Sequence, residues 1–276
     1  MTVLWNSLRR ISSTAGVAEL RRGQAIFVAL VLCGLVMLYL LGLLTRAGAP
    51  SGSDPGNWLA FSHELFGERV KAAAATYPPV APALVKWLSL FFPPLVSVSI
   101  LGAATSVLIG IPFFLLVHQR AGILWALLFT PGVLFLGYSM EMLAWGGYPQ
   151  LLSQALLLFT LYWLGKGLLE NRRLFLVLGA ASASLSVGTS TFGVVFLGVA
   201  VPLSLLFLVT QERLHVRKVA LQVGVWGALV VGMSLVFLPF YLNTIELQEG
   251  RAWNPHGYSL ATSPAAFAYV FQEWPD

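Results

Sequence analysis

Asp54 stands directly before Pro55 in the stretch Gly52-Ser53-Asp54-Pro55-Gly56-Asn57-Trp58-Leu59, just past the first apolar run of a chain that otherwise avoids charge. A carboxylate held at a membrane boundary can take a proton from a hydroxyl or bind a metal. The same pair is also the pattern of a helix N-cap followed by proline at the first helical position, where the missing N–H costs nothing. The two roles are compatible, and substitution separates them: Asn caps about as well as Asp but cannot act as a base. Glu141 is the acid of residues 140–147 and falls near a membrane boundary, where ionisable groups are costly and tend to serve function; the plainer reading is that it ends a helix in water. His63 follows Asp54 by nine residues. We expect it to point roughly the same way, more than two turns along, although a solvated histidine on a polar face needs no further role.

Other polar side chains surround this pair in sequence. Tyr77-Pro78-Pro79 breaks the chain before a second apolar run. Lys86, with Arg69 and Lys71, can meet a lipid phosphate or simply snorkel to the interface. Gln150 and Gln154 lie one turn apart and face together into a bundle, suited to a ligand or to another helix. His118 and His215 belong to turns and His256 to the tail, and no pair has metal-ligand spacing. There is no phosphate-cradling glycine loop and no Ser-His-Asp pattern, and Gly188-Thr189-Ser190-Thr191 reads as a turn.

The elements that must position these residues are membrane helices. Apolar residues make up 58% of the 276 and charged residues 10%, with a mean hydropathy of +0.81, values outside the range of a soluble domain. The net charge of +5 comes from short basic clusters between apolar spans, which we read as topology signals and not as a nucleic-acid surface. The single cysteine, Cys33, lies in an apolar span and is expected to pack there.

Residues 25–45 are long enough to cross a bilayer and begin too late for a cleavable signal peptide. Arginines 9, 10, 21 and 22 oppose one acid, Glu19, so the positive-inside rule places residues 1–24 in the cytoplasm. A long external loop, 46–93, follows. In it Trp58, Phe61 and Leu65 recur as an apolar stripe opposite Asn57, His63, Glu64 and Glu68, the pattern of an amphipathic helix lying in the interface. Residues 80–92 are short for a span, and parity of the downstream basic clusters argues against a separate crossing. Further helices are expected at about 95–117, 122–139 and 149–165, in a hairpin over 174–209 turning near 188–193, and at 219–241, with a short outer loop at 140–147. The inner side then carries eleven basic residues against three acids and the outer side five against eight, which supports seven helices with the C-terminus outside. Residues 242–276 form an external tail that ends without a cap, as in a piece of a longer protein.

The fold class expected is therefore an all-α integral membrane protein of about seven helices. On these residues the chain resembles the GT-C superfamily of polytopic glycosyltransferases: an N-in first helix, Asp54 early in a long first external loop, an interfacial helix, Tyr77-Pro78-Pro79 before the second helix, and Glu141 in the second external loop. The resemblance covers about residues 20–240, the helical module such proteins share. It implies a sugar moved from a polyprenyl-phosphate donor to an acceptor on the outer face of the cytoplasmic membrane, with inversion. Asp54 would be the catalytic carboxylate and Glu141 the second acid; His63, Tyr77, Lys86 and Gln150 would line the substrate site. The resemblance leaves the cofactor open: a divalent metal, Mg or Mn, would take Asp54 and Glu141 as ligands, though Pro55 stands where the commoner pattern has a second adjacent acid. A secondary transporter or lipid flippase would instead need ionisable residues at mid-membrane, and the expected helix centres hold none. A non-catalytic membrane partner in cell-envelope assembly would tolerate Asp54→Asn.

Overall fold

The computed structural model describes residues 22–46, 54–65, 77–211 and 214–242, which are helical with short connections and contain no strand. In chain order the helices are α1 (Arg22–Arg46), α2 (Asp54–Leu65), α3 (Val80–Leu88), α4 (Pro94–Leu108), α5 (Gly110–Ala121), α6 (Ile123–Leu134), α7 (Gly137–Trp145), α8 (Tyr148–Glu170), α9 (Arg173–Thr189), α10 (Thr191–Gln211) and α11 (Val216–Ser234), the last extended by a 3₁₀ turn at Leu235–Phe237. Six stretches are long and apolar enough to cross a membrane: Gly23–Arg46, Pro94–Ala121, Ile123–Trp145, Tyr148–Glu170, Thr191–Thr210 and Val216–Leu242. Among the described residues α9, with 17 residues and about 25 Å, is a further apolar helix shorter than these six, where the expected set had a seventh span. The chain is an all-α integral membrane protein. The N-terminal segment to residue 21, Arg69, Lys71 and the tail from residue 243 lie outside the described residues.

Burial sorts the helices into a centre and a rim. α4, α8 and α9 are the inner helices: α8 packs along α9, α4 and α5, while α1 lies on α4 and α5. α6 packs on α5, α10 on α8 and α9, and α11 on α9. The outward faces of the rim helices carry bare apolar side chains, among them Phe27, Leu35 and Leu38 of α1, Val195 and Leu203 of α10, and Leu221 and Val231 of α11. In lipid these faces need no protein partner, because hydrocarbon solvates them as well as another helix would. Cys33 is buried and has no disulfide partner, as expected for a packing residue.

Helix association without a hydrophobic drive depends on small residues and interhelical hydrogen bonds. The hydroxyls of Ser153 (α8) and Ser186 (α9) lie 2.8 Å apart, and Ser186 Oγ also donates to the Ser153 carbonyl at 3.0 Å. Gly193 of α10 closes this junction: a Cβ there would run into the Ser186 carbonyl and come 2.8 Å from Ser153 Oγ. Only Ser190 separates α9 from α10, so the expected hairpin turn is confirmed and is a single buried residue. We expect Gly193→Ala to destabilise the bundle by about 1–3 kcal/mol, the usual cost of overpacking. The thermal midpoint in detergent should fall; an unchanged midpoint would show that the three helices do not meet this tightly.

One expectation about connections needs correction, and one holds. The loop expected at 140–147 is mostly helix: after a break at Phe135 and Leu136 the chain resumes as α7, and the turn shrinks to Gly146 and Gly147. Gly146 has φ 88°, the left-handed conformation that glycine adopts without a Cβ penalty, and it stops the helix there. Residues 80–92, expected not to cross by themselves, form the nine-residue α3, a turn, and then Pro93-Pro94, which starts α4. At about 14 Å, α3 is too short to cross, in line with the parity argument.

Candidate functional site

Successive crossings bring the start of α8 to the side of the membrane on which α1 ends, the side that also carries α2 and α3. One hydrogen bond fixes this arrangement. Trp58 of α2, 4% exposed, donates its indole N–H to the carbonyl of Gly146 at 2.6 Å. The bond joins the helix that begins at Asp54 to the turn five residues after Glu141. An indole N–H needs an acceptor when it is buried, and a carbonyl at a glycine-terminated helix end is free to accept.

An aromatic cluster reinforces the joint. The Trp58 and Tyr77 rings lie 4.8 Å apart, Trp58 and Phe61 5.9 Å, and Phe61 and Tyr77 stack at 5.6 Å. Tyr77 therefore ties α2 to the Pro78-Pro79 segment that starts α3. Below them Val98 and Leu101 of α4, Val85 of α3, Leu143 of α7 and Tyr148 of α8 complete one buried cluster. The fully buried Tyr148 ring lies against Gly102, where a Cβ would come 2.8 Å from Cζ, so α4 and α8 approach closely at this level.

This packing alters the reading of α2. Its apolar stripe was expected to rest on the bilayer surface, but Trp58 and Ser62 are buried against protein and Phe61 is half-buried in the aromatic cluster. The reason is the indole N–H, for which the α7–α8 turn provides a fixed acceptor. The expected alignment of His63 with Asp54 is also wrong. Both lie on α2, and nine residues at 3.6 per turn make about two and a half turns, which puts them on opposite sides. His63 is exposed.

The other expected site residues divide. Asp54 is the first helical residue of α2, with Pro55 buried in the same turn, so the helix starts one residue earlier than the cap-and-proline pattern put it; the Asp54 side chain lies outside the described residues. Glu141 is exposed on α7 and makes no ion pair among the described residues. Tyr77 belongs to the joint itself. Gln150 is half-buried in the first turn of α8, with its Oε1 fully enclosed and without a partner, and Gln154 is half-buried one turn on. Lys86 lies on the flank of α3, away from the Trp58 hydrogen bond in sequence but on the same face of the membrane. Among the described residues no three His, Cys, Asp or Glu side chains gather, so they assemble no donor set for Mg or Mn around Glu141.

Sequence reasoning missed the parts played by Trp58, Gly146 and Tyr148. Trp58 gave a signal, since a tryptophan one turn after the acid is oddly placed for a purely aqueous loop. The Tyr148–Gly102 approach gave none, because it joins residues 46 positions apart. No family model, curated protein or solved structure matches this chain.

Proposed function

We propose that the chain is the membrane module of a glycosyltransferase that moves a sugar from a polyprenyl-phosphate donor to an acceptor hydroxyl at the outer face of the cytoplasmic membrane. The reading rests on one observation, the Trp58–Gly146 hydrogen bond, which ties the Asp54 helix to the segment carrying Glu141. Orientation follows from charge: Arg120, Lys166, Arg172, Arg173, Arg217 and Lys218 all fall on the face where α1 begins, so that face is cytoplasmic and the α2 face is outside.

In this reading the prenyl tail stays in lipid and the sugar phosphate stands at the interface beside α2. Asp54 accepts the proton of the acceptor hydroxyl as its oxygen attacks the anomeric carbon. The bond from that carbon to the phosphate oxygen breaks, and its electron pair leaves with the polyprenyl phosphate, inverting the centre. Glu141 is the second acid, placed to orient the acceptor. Holding donor and acceptor together at a surface supplies much of the remaining rate. Tyr77 acts through packing and His63 has no part.

The purified full chain, given a labelled polyprenyl-phosphate sugar, should retain it in native mass spectrometry and convert it to free polyprenyl phosphate when an acceptor is added. A chain that neither retains nor turns over any lipid-linked sugar would refute the proposal and favour the scaffold or transporter readings.

A further inference from the structure

The helix α3 and the turn after it have two unlike faces. Ala81, Pro82 and Val85 are buried, with α3 packed on α2 and α4 and touching α9. The other side is bare and apolar: Trp87, Leu90 at 70% exposure, Phe91 at 66%, Phe92 and Leu95. The Trp87 and Phe91 rings pair edge to face at 5.5 Å on this surface. The segment cannot cross the bilayer, yet it runs straight into α4 through Pro93-Pro94. Its depth is therefore that of the membrane boundary. Lys86, half-buried between the two faces, is the one cation of α3, and it makes no ion pair among the described residues.

We propose that residues 86–95 form a binding surface for an anionic phospholipid of the surrounding leaflet. The acyl chains lie along Trp87, Leu90, Phe91 and Phe92, and the phosphate pairs with the Lys86 ammonium. Tryptophan at headgroup depth and a lysine whose stem runs along apolar surface to a charged tip are the two chemistries such a lipid requires. The surface is continuous with the lipid-facing side of the bundle, so a bilayer lipid reaches it by lateral diffusion. Its role is to hold α3, and through α3 the docked α2, at a fixed depth. The inference does not depend on glycosyl transfer.

The full chain in detergent, titrated with phosphatidylglycerol or phosphatidylcholine, tests this by native mass spectrometry and by thermal shift. Wild type should retain phosphatidylglycerol over phosphatidylcholine. Lys86→Gln should lower that retention about five-fold, the effect of one basic residue at an anionic surface, and Lys86→Arg should restore it. Trp87→Ala should weaken retention of both lipids, since it removes a chain contact and not the charge. Inorganic phosphate should not compete, because the headgroup alone lacks the apolar part. Equal retention of phosphatidylglycerol by wild type and Lys86→Gln would overturn the proposal. So would preferential retention of polyprenyl phosphate, which would assign the surface to a prenyl donor, or displacement of the lipid by inorganic phosphate.

Discussion

Asp54→Asn is expected to abolish sugar transfer while leaving the thermal midpoint of the protein nearly unchanged. The separation follows from the place of the residue. Asp54 is the first residue of α2, directly before Pro55, and asparagine there matches its size and keeps an oxygen able to accept from the first-turn N–H groups. What asparagine cannot do is accept a proton from an acceptor hydroxyl, and losing a positioned general base lowers turnover by about 10²–10⁴-fold. Donor binding should persist, so the lipid-linked sugar should accumulate uncleaved on the variant in native mass spectrometry. Asp54→Ala supplies the contrast: it removes base and cap together, and adds a stability loss of about 0.5–2 kcal/mol. Wild-type turnover by Asp54→Asn, with destabilisation confined to Asp54→Ala, would make Asp54 a cap and nothing more.

The membrane helices were legible because hydropathy and charge parity report on the surroundings of whole segments, and a span of about 20 residues averages over local error. α1, the run from Pro94 to Ala121, α8 and the hairpin turn at Ser190 all fall where the sequence puts them. What failed was local and tertiary. The stretch around Glu141 looked like a loop because an acid and glycines follow an apolar run, but it stays helical until Gly146 adopts a left-handed backbone. The face of α2 was misassigned because an apolar stripe fits lipid and protein equally well, and only the partner of the Trp58 N–H decides between them. The junction of Ser153, Ser186 and Gly193 was invisible for a like reason: Ser153 lies 33 residues before Ser186, and no period in the sequence marks these small residues as neighbours. The candidate site was legible as a list of acids on one face, and not as the joint that relates them.

That joint predicts the second large effect. Trp58→Ala should release α2 from the bundle. The substitution removes a buried indole, its hydrogen bond to Gly146 and its contacts with Tyr77 and Phe61. Truncating a buried tryptophan costs about 3–5 kcal/mol. Here the loss should be local, because α2 is fastened to the rest by this cluster while α4, α8 and α9 hold one another independently. Amide hydrogen exchange should therefore rise across residues 54–65 and stay slow across residues 94–108 and 148–170. Trp58→Phe keeps an aromatic ring but loses the N–H with the rest of the five-membered ring, leaving the Gly146 carbonyl without its partner; at about 1–3 kcal/mol for the lost bond it should accelerate exchange of α2 by at least roughly 10–100-fold. If Asp54 works from the end of this helix, both variants must also lose turnover, because a base displaced by about 1 Å forfeits about 10²-fold in rate. The combination is diagnostic: faster exchange with normal turnover would detach catalysis from α2, and unchanged exchange in Trp58→Ala would mean that α2 is held by something other than this tryptophan.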